Sequence, residues 1–152
     1  MAIEQCIVKS FKLEILKALH NFTASTGNDF KLALFDSEVT LNNTTAAYET
    51  TDEVGNSGTY TAGGGACTVE STFPKLDNTT AIVDFADVSF TSATISAQAA
   101  VIYNNSTVTG LTTNAAVCIL DFGGVKSSTA GTFTISFPAA EDDSAILRIA
   151  SS

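Results

Sequence analysis

The stretch Phe90–Tyr103 reads F-T-S-A-T-I-S-A-Q-A-A-V-I-Y, and the rest of the chain is best understood from it. From Ala93 onward, apolar residues occupy every second position, and threonine, serine and glutamine fill the first gaps between them. Because successive side chains of a β-strand point to opposite faces of its sheet, this alternation predicts a strand with a buried face and a solvent-facing one. The stretch is about twice the usual strand length of ~5–6 residues, so we expect it to lie at the centre of its sheet.

Shorter strand patterns lie on both sides of this stretch, separated by turn-forming residues. Together they predict about seven strands: Phe30–Phe35, Cys67–Phe73, Ala81–Phe85, Phe90–Tyr103, Ala115–Phe122, Gly131–Phe137 and Ala145–Ala150. A glycine-serine turn is expected at Gly123–Gly131 and another turn at Leu76–Thr80. No helical pattern intervenes between the strands, which favours antiparallel pairing.

The sequence therefore predicts a mainly β fold, an antiparallel, jelly-roll-like sandwich of two sheets with one N-terminal amphipathic helix. We expect one domain over residues 1–152, with a helical segment at 1–24 and the sandwich at 29–150. The buried face of the long strand is mostly alanine, and Phe133, Ile135 and Phe137 are expected to cover it.

The N-terminal segment has a different period from the remainder. Apolar residues recur there at spacings of three and four, which predicts an amphipathic helix of about three turns with Ser10 as its N-cap. The apolar stripe consists of Val8, Phe11, Ile15, Leu16, Leu19 and Phe22. Two interpretations stay open: the helix covers an open face of the β-domain, or it reaches a neighbouring subunit.

Charge excludes some classes of partner. The 152 residues carry a net charge of −9 with only seven basic residues, so the chain cannot form the cationic surface that nucleic acid or an anionic membrane requires. No apolar run approaches the ~20 residues of a membrane span, and the first residues lack the pattern of a signal peptide. Cys6, Cys67 and Cys118 are far apart, and the latter two lie in apolar strand patterns typical of buried free thiols.

Chemistry-bearing residues form no recognisable catalytic constellation. His20 is the only histidine, and its place near the helix end predicts a solvent-exposed side chain. Carboxylates cluster at Asp52/Glu53, at Asp84/Asp87 and at Glu141–Asp143 without an accompanying metal-ligand pattern. The glycine-rich stretch 55–65 lacks the spacing of a phosphate or dinucleotide loop. We expect no enzymatic activity, no metal and no cofactor.

Several segments, in the same order along the chain, resemble a family of small virion proteins of tailed bacteriophages. They are S-F-K-L-E-I-L-K-A-L-H-N-F-T at 10–23, D-F-K-L-A-L-F at 29–35, A-A-Y at 46–48, G-T-Y-T-A-G-G at 58–64, V-D-F-A-D-V-S-F-T-S-A-T at 83–94, A-A-V-I-Y-N-N-S at 99–106, L-D-F-G at 120–123 and G-T-F-T-I-S-F-P at 131–138. The glycines at 63–65 and the Asn/Thr loop at 104–114 are local departures from that pattern.

The resemblance implies a noncatalytic assembly protein located in the virion and made in the bacterial cytoplasm. The preferred interpretation is a capsid decoration (cement) protein that bridges subunits of the major capsid protein and forms homo-oligomers on the particle. Alternatives are a tail, neck or fibre component and, from a different class, a receptor- or glycan-binding module. The candidate partner interface is Phe11, Ile15, Leu19, Phe22, Tyr48 and Tyr60. Deletion of residues 1–24 is expected to leave the β-domain folded and to weaken particle binding.

Overall fold

The computed structural model describes residues 2–151, and its fold is mainly β. Its elements, in chain order, are β1 Ala2–Ile3, β2 Cys6–Ile7, α1 Lys9–Leu16, β3 Phe30–Phe35, β4 Thr40–Leu41, β5 Gly65–Ala66, β6 Lys75–Asp77, β7 Thr80–Val83, β8 Val88–Asn104, β9 Ala116–Ile135 and β10 Leu147–Ile149. Strands account for 45% of the residues and helix for 5%, which confirms the prediction of a mainly β chain with one helix.

Two antiparallel sheets contain most of the strands. The larger has the order β2-β9-β8-β3-β5, and the smaller has the order β10-β7-β6. A parallel pair of two-residue strands, β1 and β4, stands apart from both. The described chain thus has ten strands where about seven were predicted, because several are only two or three residues long and too short to show a period.

The long central strand is confirmed. β8 runs for 17 residues between β9 and β3 in the middle of the larger sheet. Its buried residues have even numbers up to Phe90 and odd numbers from Ala93 to Ala99. The change occurs at Ser92, where a backbone bulge with φ +51 interrupts the pairing with β9. This bulge keeps Phe90 and Ala93 on the same buried face. Beyond Gln98 both faces are buried, so the solvent-facing side is shorter than the strand.

The cover of β8 differs from the prediction. Phe133 pairs with Phe90 and Ile135 with Val88, so both residues lie beside β8 in the same sheet and cannot cover it. The irregular segment 36–64 supplies the cover instead. The ring of Tyr60 packs edge-on at 4.8 Å from Phe90, and Tyr48 stacks at 4.6 Å on Tyr103.

β9 is one strand of 20 residues, and the prediction of two strands separated by a glycine-serine turn was wrong. Asp121 pairs with Ala99, and Lys126 pairs with Ala97. Between these two pairs β9 advances by five residues, whereas β8 advances by two. The extra residues form a wide bulge in which Gly123 and Gly124 have φ values of +70 and +142. The glycines therefore serve a bulge within a continuous strand, not a chain reversal.

Smaller corrections concern the segment before β8. The predicted strand Cys67–Phe73 is reduced to a single bridge between Val69 and Phe85. The predicted turn Leu76–Thr80 is present but shorter: the turn itself is Asn78 and Thr79, and the outer residues belong to β6 and β7. β3 has the predicted bounds, since its apolar run is short and flanked by polar residues.

The helix is shorter than predicted. α1 has eight residues and begins after Val8, so Ser10 lies inside its first turn and is not the N-cap. It ends before Ala18, which adopts a left-handed φ of +56. The predicted stripe is consequently divided: Val8 and Phe11 are buried, whereas Leu16 is 85% exposed.

Candidate functional site

The first part of the predicted interface, in the N-terminal segment, forms an aromatic cluster inside the chain. The rings of Phe22 and Phe30 stack at 4.5 Å, and Phe11 contacts Phe22 edge-on at 6.0 Å. Phe11 and Phe22 are both 7% exposed, and Ile15 and Leu19 are partly buried. The two phenylalanines therefore pack mainly in this chain's own core and expose little of their surface.

His20 lies within this cluster, so the prediction of a solvent-exposed histidine was wrong. Its side chain is buried, and its ring lies 4.9 Å from that of Phe11. Nε2 is 2.8 Å from a Glu14 carboxylate oxygen, and Nδ1 is 3.1 Å from the amide nitrogen of Asn104. The histidine therefore joins α1 to the end of β8.

The hydrogen bonds around Asn104 identify the tautomer of His20. Oδ1 of Asn104 accepts from the backbone N–H of Ser106, so its amide nitrogen must face the histidine. That nitrogen also donates to Asn28. Because an amide nitrogen can only donate, Nδ1 of His20 accepts and Nε2 donates to Glu14. The neutral Nε2–H form satisfies both neighbours, which indicates a structural role for the histidine.

The second part of the predicted interface forms a tyrosine cluster around Glu53. Its carboxylate accepts hydrogen bonds from the hydroxyl of Tyr48, from the hydroxyl of Tyr60 at 2.7 Å and from the N–H of Gly63 at 2.6 Å. Tyr60 also accepts from the N–H of Leu34 at 2.9 Å, and Tyr103 donates to the carbonyl of Gly63. The cluster anchors the loop over β3 and β8.

Burial changes the ionisation of these tyrosines. It raises the pKa of Tyr48 and of Tyr60 well above the ordinary value, and the Glu53 carboxylate raises both further. Burial also raises the pKa of Tyr103 to about 12, again with a contribution from Glu53. Tyr60 and Tyr103 are 1% and 2% exposed, so they do not form the exposed aromatic platform that a glycan-binding module would need.

The structure reveals an apolar groove, and three residues of the predicted interface, Phe11, Ile15 and Phe22, are among those that line it. This helix–sheet groove lies between α1 and the smaller sheet, and its volume is about 740 Å³. Its lining is largely apolar and includes Ile15, Leu16, Ala81 and Ile149. Leu16 and Ile149 are 85% and 66% exposed, so part of this apolar surface is open to solvent.

Positive charge is concentrated at the same place. Lys12 and Arg148 line the groove. Lys9 and Lys17 lie on or directly after α1, and the smaller sheet carries acids as well, Asp77 in β6 and Asp84 directly after β7, but within residues 2–151 no carboxylate lines the groove. The acid on α1, Glu14, is bonded to His20. An apolar groove with a basic rim thus occurs on a chain whose net charge is −9.

The lining of the groove shows which of its parts the sequence predicts and which it does not. Leu16 was assigned to the buried stripe, and the apolar Leu13 on the same helix, 55% exposed, was overlooked. Leu13 does not line the groove, whereas Phe11, Ile15, Leu16 and Phe22 of the predicted stripe do. The contribution of β7 and β10 to the groove could not be seen, because it depends on how distant segments pack.

Each of the three carboxylate clusters contains one side chain that accepts hydrogen bonds within the chain: Glu53, Asp87 and Asp142. Asp87 accepts from the hydroxyl of Ser136 and the N–H of Phe137, and Asp142 accepts from Asn78. Burial raises the pKa of Asp84, one oxygen of which has no hydrogen-bond partner. Among residues 2–151, His, Cys, Asp and Glu side chains form no group of three that could hold a metal ion. No helix in that range is long and apolar enough to cross a membrane.

Comparisons with protein-family models, with curated proteins and with solved structures give no match to this chain. The resemblance to virion proteins of tailed phages therefore stays a prediction.

Proposed function

We propose that this chain is a noncatalytic structural protein of a tailed-phage particle and that it binds a neighbouring virion protein through the helix–sheet groove. The observation that carries the proposal is the groove itself, with exposed apolar residues such as Leu16 and Ile149. Exposed apolar surface of this kind marks sites of protein interaction.

The charge around the groove defines the partner's chemistry. Lys12 and Arg148 lie at an apolar surface on an otherwise acidic molecule. A partner segment that combines apolar side chains with carboxylates complements both properties, and charge complementarity of this kind contributes to specificity and association rate. In the preferred form of the proposal, the segment belongs to the major capsid protein, and this chain is a decoration protein on the outer shell.

We also propose that the two antiparallel sheets are the layers of a jelly-roll-like β-sandwich. Contacts between aromatic rings support this arrangement. Phe85 lies two residues after the end of β7 in the smaller sheet. Its ring is 6.0 Å from that of Phe30 in β3, which belongs to the larger sheet.

Copy number in purified virions tests the position of the chain in the particle. A decoration protein should be present in numbers comparable to those of the major capsid protein, as measured by quantitative mass spectrometry. A few copies per particle would favour the tail, neck or fibre alternative. Absence of the chain from purified virions would overturn the proposal.

A variant with a damaged groove tests the docking site. The double variant Leu16→Ser/Ile149→Ser should keep its β-sheet circular dichroism and bind at least about tenfold less to particles assembled without this chain. The matched control is Val125→Ser, which removes an apolar residue that is 50% exposed in the β9 bulge and does not line the groove. Equal loss of binding in both variants would contradict docking through the groove.

A further inference from the structure

The outer edge of β9 is largely unpaired. β8 pairs along one side of β9, whereas β2 pairs on the other side only with Cys118 and Ile119. Within the described residues, no strand continues this outer edge beyond that point. β9 nevertheless extends to Ile135, so most of its length is an edge strand.

The first part of this edge is protected against pairing. The bulge at Gly123 and Gly124 distorts it, and Lys126 follows. Bulges and lysines are two features that prevent an edge strand from pairing with another chain. A second irregularity occurs at Ala130, with φ +46.

The last part of the edge, Gly131–Ile135, has neither form of protection. It contains five residues, close to the length of an ordinary strand. Alternate residues of an antiparallel edge strand direct their N–H and C=O groups away from the paired side. Apart from the ladder with β8, the described chain provides no backbone hydrogen bond to these five residues. Water can bond to these groups in the monomer, and an additional strand would replace it with backbone hydrogen bonds.

A hollow of about 570 Å³ lies beside this part of the edge, and its lining combines apolar side chains with polar ones such as Asp121 and Lys126. Its lining includes Phe122, Phe133, Ile135, Phe137 and Ile146. Side chains of an added strand could enter this hollow, which would add apolar burial to the backbone hydrogen bonds.

Charge indicates which strand can approach. Two copies of a chain with a net charge of −9 repel each other over most of their surface. The stretch from Ser127 to Ala140 contains no charged residue, so charges on this part of β9 do not oppose the approach of a second copy. Asp87, whose carboxylate accepts hydrogen bonds from Ser136 and Phe137, is the acid that hydrogen bonds hold beside this stretch. An antiparallel pair of identical edges is also self-complementary about a two-fold axis.

We propose that a second copy of this chain pairs antiparallel with the Gly131–Ile135 edge, so that two five-stranded sheets form one continuous ten-stranded sheet. This surface is distinct from the helix–sheet groove, and the proposal does not depend on the groove or on phage particles.

The test compares two aspartate variants of the purified full-length chain. Thr132 is exposed on β9. In the proposed dimer of Thr132→Asp, the two introduced carboxylates, one from each copy, face each other or lie close together. Because like charges on paired strands repel, Thr132→Asp should weaken self-association by about tenfold or more. The matched control, Thr91→Asp, adds the same charge on the neighbouring β8, one strand farther from the partner.

Light scattering coupled to size-exclusion chromatography should show a dimer of the wild-type chain between ~10 and ~500 µM, and Thr91→Asp should behave similarly. Hydrogen exchange supplies a readout that needs no variant: the outward amides of 131–135 should exchange more slowly as concentration rises. A wild-type chain that stays monomeric over this range, with exchange independent of concentration, overturns the proposal. Equal weakening by both variants overturns it as well, because association would then involve another surface.

Discussion

His20 shows how one buried polar residue can join distant parts of this fold. Its ring lies among Phe11, Phe22 and Phe30, and its nitrogens bond to Glu14 on α1 and Asn104 on β8. Each bond satisfies a polar group that would otherwise be buried or half-buried without a partner. Removing the ring would therefore leave both a cavity and unsatisfied polar atoms.

We expect His20→Ala to destabilise the protein by about 3 kcal/mol, from the cavity and from the lost hydrogen bonds. Urea denaturation followed by circular dichroism measures the change. Lys17→Ala, at an exposed position directly after α1, serves as the control and should change the free energy of unfolding by less than about 0.5 kcal/mol. Similar stability of the two variants would contradict a structural role for His20.

The tyrosine cluster predicts an unusual response to alkaline pH. All three tyrosines of the chain belong to it, and the chain has no tryptophan, so absorbance near 295 nm reports their ionisation directly. The pKa of Tyr103 is raised to about 12 from an ordinary value of 10.0, and the pKa values of Tyr48 and Tyr60 are raised further. In the folded protein, we expect almost no tyrosinate to form near pH 10.

The same shifts determine how stability depends on pH. The folded state holds these protons to a higher pH than the unfolded chain does, so their contribution to stability is full below about pH 10 and is lost as the pH rises toward 12. Ionisation should therefore coincide with unfolding in a pH titration followed by absorbance and circular dichroism. An independent tyrosine titration near pH 10 in a protein that remains folded would contradict the cluster.

These residues also mark a limit of prediction from sequence. The burial of Cys67 and Cys118 could be predicted, because each lies in an apolar pattern that is local in the chain. The burial of His20 could not, since its partner Asn104 is 84 residues away. Tyr60 was likewise predicted to face a partner, whereas its contacts come from Leu34 and Glu53, which lie in distant or irregular parts of the sequence.

Among the elements, predictability followed the regularity of the local pattern. The strands β3 and β8 alternate or are continuously apolar and were predicted with small errors. β9 was divided in two because Gly123 and Gly124 are typical of turns, and only the register against β8 shows that they form a bulge. The groove depends on how α1 packs against the smaller sheet, and the apolar stripe of the N-terminal segment indicated one of its two walls.

The glycine-rich segment approaches the larger sheet most tightly at Gly64, directly before β5. Gly64 has a φ of +80, and a Cβ at this position would lie 2.0 Å from the carbonyl oxygen of Leu32 in β3. We expect Gly64→Ala to destabilise the protein by at least ~2 kcal/mol, because both the backbone conformation and the space are unsuitable for a side chain.

Gly55 offers a matched control in the same segment. A Cβ added there meets no atom within 4 Å, and its φ is not in the left-handed region. Gly55→Ala should therefore leave the thermal midpoint nearly unchanged. If both alanine variants unfolded at the wild-type temperature, the close approach of Gly64 to β3 would be wrong.

For the molecule as a whole, the N-terminal segment is an integral part of the fold. β2 pairs with β9, and Val8, Phe11, His20 and Phe22 are buried. The structure thus favours the interpretation in which the helix covers the β-domain, and it changes the outcome that we expect when residues 1–24 are deleted.

Deletion of residues 1–24 should therefore abolish cooperative unfolding, since it removes an edge strand and several buried side chains. Thermal denaturation followed by circular dichroism measures this. The groove variant Leu16→Ser/Ile149→Ser provides the comparison, because it changes exposed residues of the same region and should retain a cooperative transition. A truncated chain with a wild-type transition would show that the segment is dispensable for folding.

The pairing of the first strands with the last long strand also has a kinetic consequence during synthesis. Cys6 pairs with Ile119, and Phe30 pairs with Asn104, so the larger sheet cannot close until β9 has emerged from the ribosome. Such distant contacts make folding slow, on the order of milliseconds to seconds. The nascent chain must meanwhile carry about a hundred residues of incompletely paired, apolar β sequence, the kind of intermediate that chaperones bind.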